Sequence, residues 1–350
     1  MRGKEEELKI TENSVILYEA LKAKHKAHPI VQLLIFVAVY LVASMALGIV
    51  IGLPAGIYIA AQMLEGMDME ALQSGEVTFD FQQLQGMTKN MPEWFILLSL
   101  FGTAFIIGAV IIYCRYIEGR SFASMGLRRQ GFLKNYGRGL LIGAVMFFAA
   151  AGLSVLLGSA RFTGFNYSVS WGYIALFFLG YLVQGASEEF LCRGYLAVSL
   201  ANRCKVAVAV GISSVVFALM HVGNNGVSPL AIINIALFGA FEAVYMFRSD
   251  DLWGACAIHS AWNFVQGNVL GISVSGGAVG NTIFTTSFVE GRELINGGAF
   301  GTEGGICATI VLALAIALAC HLPMKQRPEL PKGEEDIPIE KEAIPLYIKK

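Results

Sequence analysis

Charged residues are scarce in this chain: 15% of its 350 residues are Asp, Glu, Lys or Arg, whereas 55% are hydrophobic. A soluble protein has about a quarter of its residues charged. This shortage excludes an ordinary soluble domain, because too few charges are present to cover its surface. The formal net charge of −1 also offers no basic excess to attract nucleic acid. We therefore expect a polytopic membrane protein in contact with lipid and without a nucleic-acid partner.

Paired cysteine motifs are missing as well. The six cysteines show no CxxC spacing, and most of them lie within apolar runs. There a thiol behaves as a small hydrophobic group, so we expect no structural disulfide and no cysteine-based metal site. Proline is rare, at 9 residues, while glycine numbers 39. That balance favours close packing of membrane helices over disorder.

Long apolar runs, by contrast, are abundant. They lie at about 30–63, 94–116, 137–159, 171–192, 204–222, 229–247, 253–271 and 305–322. Most of them approach the ~20 residues that span a bilayer, which predicts an all-α bundle of about eight transmembrane helices. The first run is too long for one straight span, and we expect Pro54 to kink it or turn its end along the interface.

The domain organisation follows from these runs. Residues 1–29 are expected to form a cytoplasmic tail, residues 30–322 the transmembrane domain, and residues 323–350 a second cytoplasmic tail. The 272–304 connection is rich in glycine and contains NGGAFGTEGG. It is expected to be either a flexible external loop or a re-entrant cap. Glu303 within it is a possible functional residue, although no sequence argument favours it.

The orientation of the bundle follows from its Lys and Arg residues, which favour cytoplasmic connections. Basic residues crowd the N-terminal tail and the second connection, at 115–138. The connections 64–93, 160–170 and 272–304 hold one basic residue each: Lys89, Arg161 and Arg292. We therefore expect a multi-pass membrane protein with both termini in the cytoplasm. The membrane is expected to be a bacterial plasma membrane, although the charge pattern does not itself identify the organism.

Ionisable residues inside spans cost about 2.5–3.5 kcal/mol each, so each deserves a functional hypothesis. The first cluster is EEFLCR, residues 188–193. Glu189 and Arg193 are four apart and can pair on one helix face, which leaves Glu188 free to act as a general base. The alternative is a structural ion-pair cluster at the interface. We expect the fourth helix to continue to about Leu200, because this brings Glu188 near the depth of the fifth span's far end.

Two further motifs place polar side chains in later spans. FALMH ends at His221, and HSAWN carries His259 and Asn263 four residues apart, on one helix face. Imidazole and carboxamide suit stabilisation of an oxyanion, although interhelical hydrogen bonding is an equally open explanation. Asn234 and Glu242 of the sixth span are expected to serve packing, with Glu242 pairing with Arg248.

Together the three motifs resemble those of the CPBP family, the CAAX-protease and bacteriocin-processing group of intramembrane peptidases. That family is marked by EExxxR, FxxxH and HxxxN, which occur here in that order on successive apolar runs. The resemblance covers roughly residues 115–270. It implies that Glu188 activates water, and that Glu189 assists it or is held by Arg193.

The resemblance also implies roles for the downstream motifs. His221 would position the water or a metal. His259 and Asn263 would stabilise the oxyanion, or His259 would join His221 as a metal ligand. Two histidines and a glutamate suit a catalytic zinc site, but the amide of Asn263 is a weak ligand and no HExxH helix is present. A metal-independent reaction is slightly favoured, and Zn²⁺ stays open.

The function implied by this resemblance is hydrolysis of a peptide bond in a membrane-associated protein or peptide. The alternative is a non-proteolytic scaffold or bacteriocin-immunity factor on the same fold. A transporter is less favoured, because no internal repeat or paired broken helix is evident.

Overall fold

The computed structural model describes residues 14–65 and 92–323, and helices dominate its architecture. Parts of the two predicted tails, and most of the connection 64–93, lie outside the described residues. The helices are α1 (Val15–Leu21), α2 (Pro29–Glu65), α3 (Glu93–Ile117), α4 (Phe132–Leu156), α5 (Trp171–Ala201), α6 (Val206–Leu219), α7 (Pro229–Ser249), α8 (Leu252–Phe264 with a π-helical continuation, Val265–Val269), α9 (Glu293–Asn296) and α10 (Ile306–Cys320). Two short strands, β1 (Ala160–Phe165) and β2 (Phe284–Phe288), pair antiparallel.

The expected helical membrane bundle is confirmed. Among the described residues, five helices are long and apolar enough to cross a membrane: α2, α3, α4, α5 and α7. Each of the other three predicted runs is also a helix, but a shorter one. The number of complete spans therefore stays a prediction.

Helix α2 lies at the periphery of the bundle. It continues through Pro54 as a single helix of 37 residues, so the proline does not end the helix; the expected kink or turn along the interface stays a prediction. Its apolar side chains are largely uncovered, with Leu34 66% and Met45 69% exposed. In a membrane protein such a surface faces lipid.

Helix α8 lies at the centre of the bundle, and all its residues from Gly254 to Asn263 are buried. Glycines on its neighbours allow close approach. A side-chain carbon on Gly143 of α4 would collide with the carbonyl group of Ile258, and one on Gly185 of α5 would lie 2.7 Å from Ser260 Oγ. Small residues of this kind bring membrane helices together. They hold α8, with its polar motif, between α4 and α5.

One end of the bundle gathers most of the basic residues and is called the basic end below. Here the connections before α2, after α3, after α5 and after α7 meet. Asp250 accepts hydrogen bonds from Ser14 Oγ and the Ile16 amide and pairs with Arg128 at 3.1 Å. Arg203 donates to the carbonyl of Lys26. These bonds tie α1 and the connections into one layer.

The opposite end is called the capped end, and the segment 270–305 covers it. Strand β2 of this segment pairs with β1, and Asn224 donates to the Ser275 carbonyl at 2.9 Å. Phe300 and Thr302 are fully buried. Of the two alternatives for this glycine-rich connection, the structure therefore supports the packed cap.

Candidate active site

A cavity of about 370 Å³ lies between α3, α5, α6, α7, α8 and the cap. Apolar side chains form most of its wall. Its polar lining residues are Ser99, Gln184, Glu188, His221, Asn224, His259, Asn263, Ser275 and Glu303. The structure thus brings together one acidic residue, both histidines and the asparagine singled out in the sequence.

These residues meet because α5 is long. It continues to Ala201, as predicted, so Glu188 lies 13 residues before its end. His221 follows the start of α6 by 15 residues. At 1.5 Å per residue, both lie roughly 20 Å from the short connection that joins the two antiparallel helices. If α5 ended near Glu188, this residue would lie at the basic end, far from His221. The observed length of α5 places the two at similar depths.

Glu188 lines the cavity, and only one of its two carboxylate oxygens accepts a hydrogen bond. Its Oε1 accepts a hydrogen bond from Gln184 Nε2 at 2.8 Å. Its buried Oε2 has no hydrogen-bond partner in the described part of the chain and lies 3.5 Å from His259 Nε2. The side chain is 18% exposed. Glu188 is therefore positioned through one oxygen, while its other oxygen carries no hydrogen bond and lies next to His259.

Glu189 occupies a different environment and does not line the cavity. Its Oε1 accepts from Arg193 Nη1 at 2.9 Å and from His259 Nδ1 at 2.8 Å. Both Glu189 and Arg193 are fully buried, as the sequence analysis predicted for this pair. Since a carboxylate accepts hydrogen bonds, His259 carries a proton on Nδ1, and its Nε2 faces Glu188. Glu189 thus orients the histidine.

The local helix geometry contributes to this division. Directly after Glu189 the helix widens into π-helical turns over Phe190–Ala197, a feature that is frequent at functional sites. The guanidinium carbon of Arg193 lies 4.3 Å from the centre of the Phe217 ring. Phe217 is the first residue of the FxxxH motif. This motif therefore supports Arg193 of the EExxxR motif through a cation–π contact.

His221 lines the same cavity from the end of α6. Its Nδ1 lies 2.8 Å from the Phe217 carbonyl oxygen. Because a carbonyl only accepts, Nδ1 donates and the neutral ring keeps a lone pair on Nε2. His221 can therefore accept a proton or hold a water.

Gln184 is a site residue that the sequence analysis missed. It accepts from Asn263 Nδ2 at 2.9 Å through its side-chain oxygen and donates to Glu188 through its nitrogen. The bond fixes the Asn263 amide and leaves its second N–H hydrogen unused. The available signal was the spacing, since Gln184 precedes Glu188 by four residues on one helix face.

Glu303, named in the sequence analysis as a possible functional residue, lies in the cap and lines the cavity. Its carboxylate accepts from Trp262 Nε1 at 2.9 Å and from the amide and hydroxyl of Ser275, both at 2.8 Å. Ser275 has a left-handed backbone, with φ of 47°. These three hydrogen bonds fix the carboxylate in place. Only the folded cap shows that Glu303 reaches the cavity wall.

Whether the site can hold a metal ion depends on the number and arrangement of its nitrogen and oxygen donor atoms. His259 Nε2, Glu188 Oε2 and the free nitrogen of His221 belong to residues that line one cavity. However, the residues that the structure describes contain no group of three or more His, Cys, Asp or Glu side chains arranged to hold a metal ion. This donor set does not match a preformed three-ligand zinc site, and no step below is assigned to a metal.

Of the two polar residues of α7, one has the role expected from the sequence and the other lacks its expected partner. Asn234 donates to the carbonyls of Glu303 and Gly305, which confirms a packing role at the cap. The pairing of Glu242 with Arg248 is wrong, because Arg248 donates to the Leu322 carbonyl. Glu242 is fully buried and its carboxylate oxygens have no hydrogen-bond partner among the described residues.

Comparison with known families bears on this arrangement. Residues 170–265, which carry the acidic, FxxxH and HxxxN motifs, match the family model described as type II CAAX prenyl endopeptidase Rce1-like. The matched segment is thus similar to the CAAX prenyl endopeptidases of that family. It links the cavity to a family of proteases, while Glu303 lies beyond the matched segment. No curated protein and no solved structure gave a significant match.

Proposed function

We propose that this protein is an intramembrane endopeptidase in which Glu188 activates the attacking water. One observation carries the proposal most directly. Oε2 of Glu188 has no hydrogen-bond partner among the described residues and lies 3.5 Å from His259 Nε2, and both residues line a cavity of about 370 Å³. A carboxylate and an imidazole that line the same small cavity are the components of general acid–base catalysis.

In the proposed reaction, Glu188 accepts a proton from water, and the resulting hydroxide attacks the carbonyl carbon of the scissile bond. A new C–O bond forms, and the carbonyl oxygen becomes an oxyanion. The unused Asn263 N–H and Nε2–H of the imidazolium form of His259 donate to it. The proton held by Glu188 then passes to the amide nitrogen as the C–N bond breaks, which regenerates the carboxylate.

The remaining residues position this machinery. Glu189 and Arg193 hold the imidazole of His259 at a fixed angle, and Gln184 holds both Glu188 and Asn263. Fixed donors need no reorganisation when charge develops, and this is the main source of their catalytic effect. His221 is assigned to hold the attacking water through its free Nε2.

The test compares cells that produce the wild-type chain with cells that produce Glu188→Gln at matched levels. New peptide termini in the membrane fraction are quantified by mass spectrometry. We expect a small set of termini that depends on the wild-type chain. Glu290→Gln is the matched control, because it makes the same chemical change at an exposed cap residue and should preserve those termini.

The same experiment separates the scaffold alternative. A scaffold or immunity factor would produce no termini that depend on Glu188. Identical terminal profiles for wild type and Glu188→Gln, with both proteins folded in the membrane, would therefore overturn the peptidase assignment.

A further inference from the structure

The distribution of charge between the two ends of the bundle is strongly unequal. The connections of the basic end and their flanking helix turns carry Lys22, Lys24, Lys26, Arg115, Arg120, Arg128, Arg129, Lys134, Arg138, Arg203, Lys205 and Arg248. The described connections of the capped end carry only Arg161 and Arg292. Because Lys and Arg in short connections stay in the cytoplasm, the basic end belongs on the cytoplasmic side.

The cavity lies on the other side of the catalytic residues. From Glu188 its lining follows α5 through Gln184 to Tyr181, toward the capped end. It includes Phe95 at the start of α3 and Ser275 of the cap. The connections of the basic end contribute no residue to this lining in the described part of the chain.

The route from the basic end is filled by a buried polar network. Arg120 is 1% exposed and donates to Ser199 Oγ at 2.8 Å and to the Gly194 carbonyl at 2.8 Å. Glu118, also buried, accepts from Gln32 Nε2 at 2.7 Å and from Ser199. These bonds close the space between α2, α3 and α5. A peptide that approached from the cytoplasm between α2, α3 and α5 would have to break this network before reaching Glu188.

We propose, building on the proposed peptidase function, that the cavity takes its substrate from the extracytoplasmic side of the membrane. The substrate class is then an extracytoplasmic or outer-leaflet segment of a membrane-associated polypeptide. No connection of the basic end, where a cytosolic C-terminal tail would arrive, lines the cavity in the described part of the chain. This separates the chain's substrate from the one that the name of the matched family suggests.

The lining also limits the chemistry of that segment. The cavity wall is mainly apolar, and its two carboxylates, Glu188 and Glu303, face no Lys or Arg among the lining residues. An acidic side chain would be repelled there without a counter-charge, whereas an uncharged or basic one would not. The cavity therefore fits an extended segment that is apolar or basic next to the scissile bond.

Cysteine labelling tests the orientation independently of any catalysis. The two cysteines that are not fully buried, Cys204 and Cys320, lie at the basic end. A membrane-impermeant maleimide should therefore label the wild-type chain in inverted vesicles only. Ala278→Cys at the exposed cavity rim and Ser168→Cys at the capped end should be labelled in intact cells, by about tenfold or more over wild type.

The outcomes separate the two proposals. Labelling of Ser168→Cys only in inverted vesicles would overturn the extracytoplasmic substrate, whatever the enzyme's activity. Correct labelling without any Glu188-dependent termini would refute the peptidase function and leave the orientation intact.

If peptide termini do depend on Glu188, they should map to extracytoplasmic segments, and loss of cytoplasmic C-terminal residues would contradict the inference. Attachment of the maleimide to Ala278→Cys in intact cells should also reduce those termini at least tenfold.

Discussion

Replacing Arg193 with methionine tests whether Arg193 holds the catalytic histidine through Glu189. The change removes a guanidinium that lies 2.9 Å from Glu189 Oε1 and stacks on Phe217 at 4.3 Å. Both charged side chains are fully buried, so the remaining carboxylate has no compensating cation except His259. Breaking a buried pair on one side costs about 3–5 kcal/mol. At about 2 °C per kcal/mol for a chain larger than 150 residues, the midpoint of thermal unfolding should fall by about 6–10 °C.

The double variant Arg193→Met with Glu189→Gln separates folding from catalysis. It removes both charges and keeps an acceptor oxygen for His259 Nδ1, so most of the lost stability should return. Cleavage should stay low, because the histidine has lost the carboxylate that stabilises its protonated form. Thermal unfolding of purified protein in detergent, together with the abundance of Glu188-dependent termini, measures both effects. A single Arg193→Met variant as stable as wild type would refute the reasoning.

Three further predictions concern packing, positioning and metal. Gly143→Ala should destabilise the protein by about 1–3 kcal/mol, because the new carbon collides with the Ile258 carbonyl. The control is Gly152→Ala on the same helix, where the new carbon meets no atom within 4 Å. This variant should leave the unfolding midpoint unchanged or higher. Gln184→Leu should lower kcat by about 10-fold or more with little change in unfolding, because Glu188 and Asn263 lose their shared partner; an unchanged kcat would contradict this positioning role. After treatment with a chelator, the protein should still cleave its substrate, and elemental analysis should find less than one zinc ion per chain. Loss of cleavage that added Zn²⁺ restores would instead support a metal-dependent reaction.

The helical bundle could be predicted from the sequence because each apolar run is a local signal. The fourth run shows the limit of that signal, since its apolar stretch ends near the acidic pair while the helix continues to Ala201. The polar residues beyond Glu189 find partners on several elements: Arg193 lies on Phe217 of α6, Tyr195 bonds Gln32 of α2, and Ser199 bonds Glu118 and Arg120 after α3. The length of α5 therefore follows from packing.

The candidate site was partly visible in the sequence. The Glu189–Arg193 pair follows from i,i+4 spacing, and the structure confirms it at 2.9 Å. The proximity of His259 to both glutamates depends on the contact of α5 with α8, which no local pattern encodes. Glu303 is separated from Trp262 by 41 positions and a glycine-rich cap, and only the folded cap joins them. Glu242 was wrongly paired with Arg248, because the burial of α7 places its carboxylate in the bundle core.

The central claim is that Glu188 performs the chemistry, and one measurement tests it most directly. Purified wild type and Glu188→Gln are reconstituted in vesicles with a peptide that spans a Glu188-dependent terminus found in cells, and the cleavage rates are compared. The amide keeps the size of the side chain and its bond to Gln184 but cannot accept a proton from water. We predict that kcat falls by about 10²–10⁴, with the unfolding midpoint within a few degrees of wild type. A Glu188→Gln protein that cleaves at the wild-type rate would contradict the account.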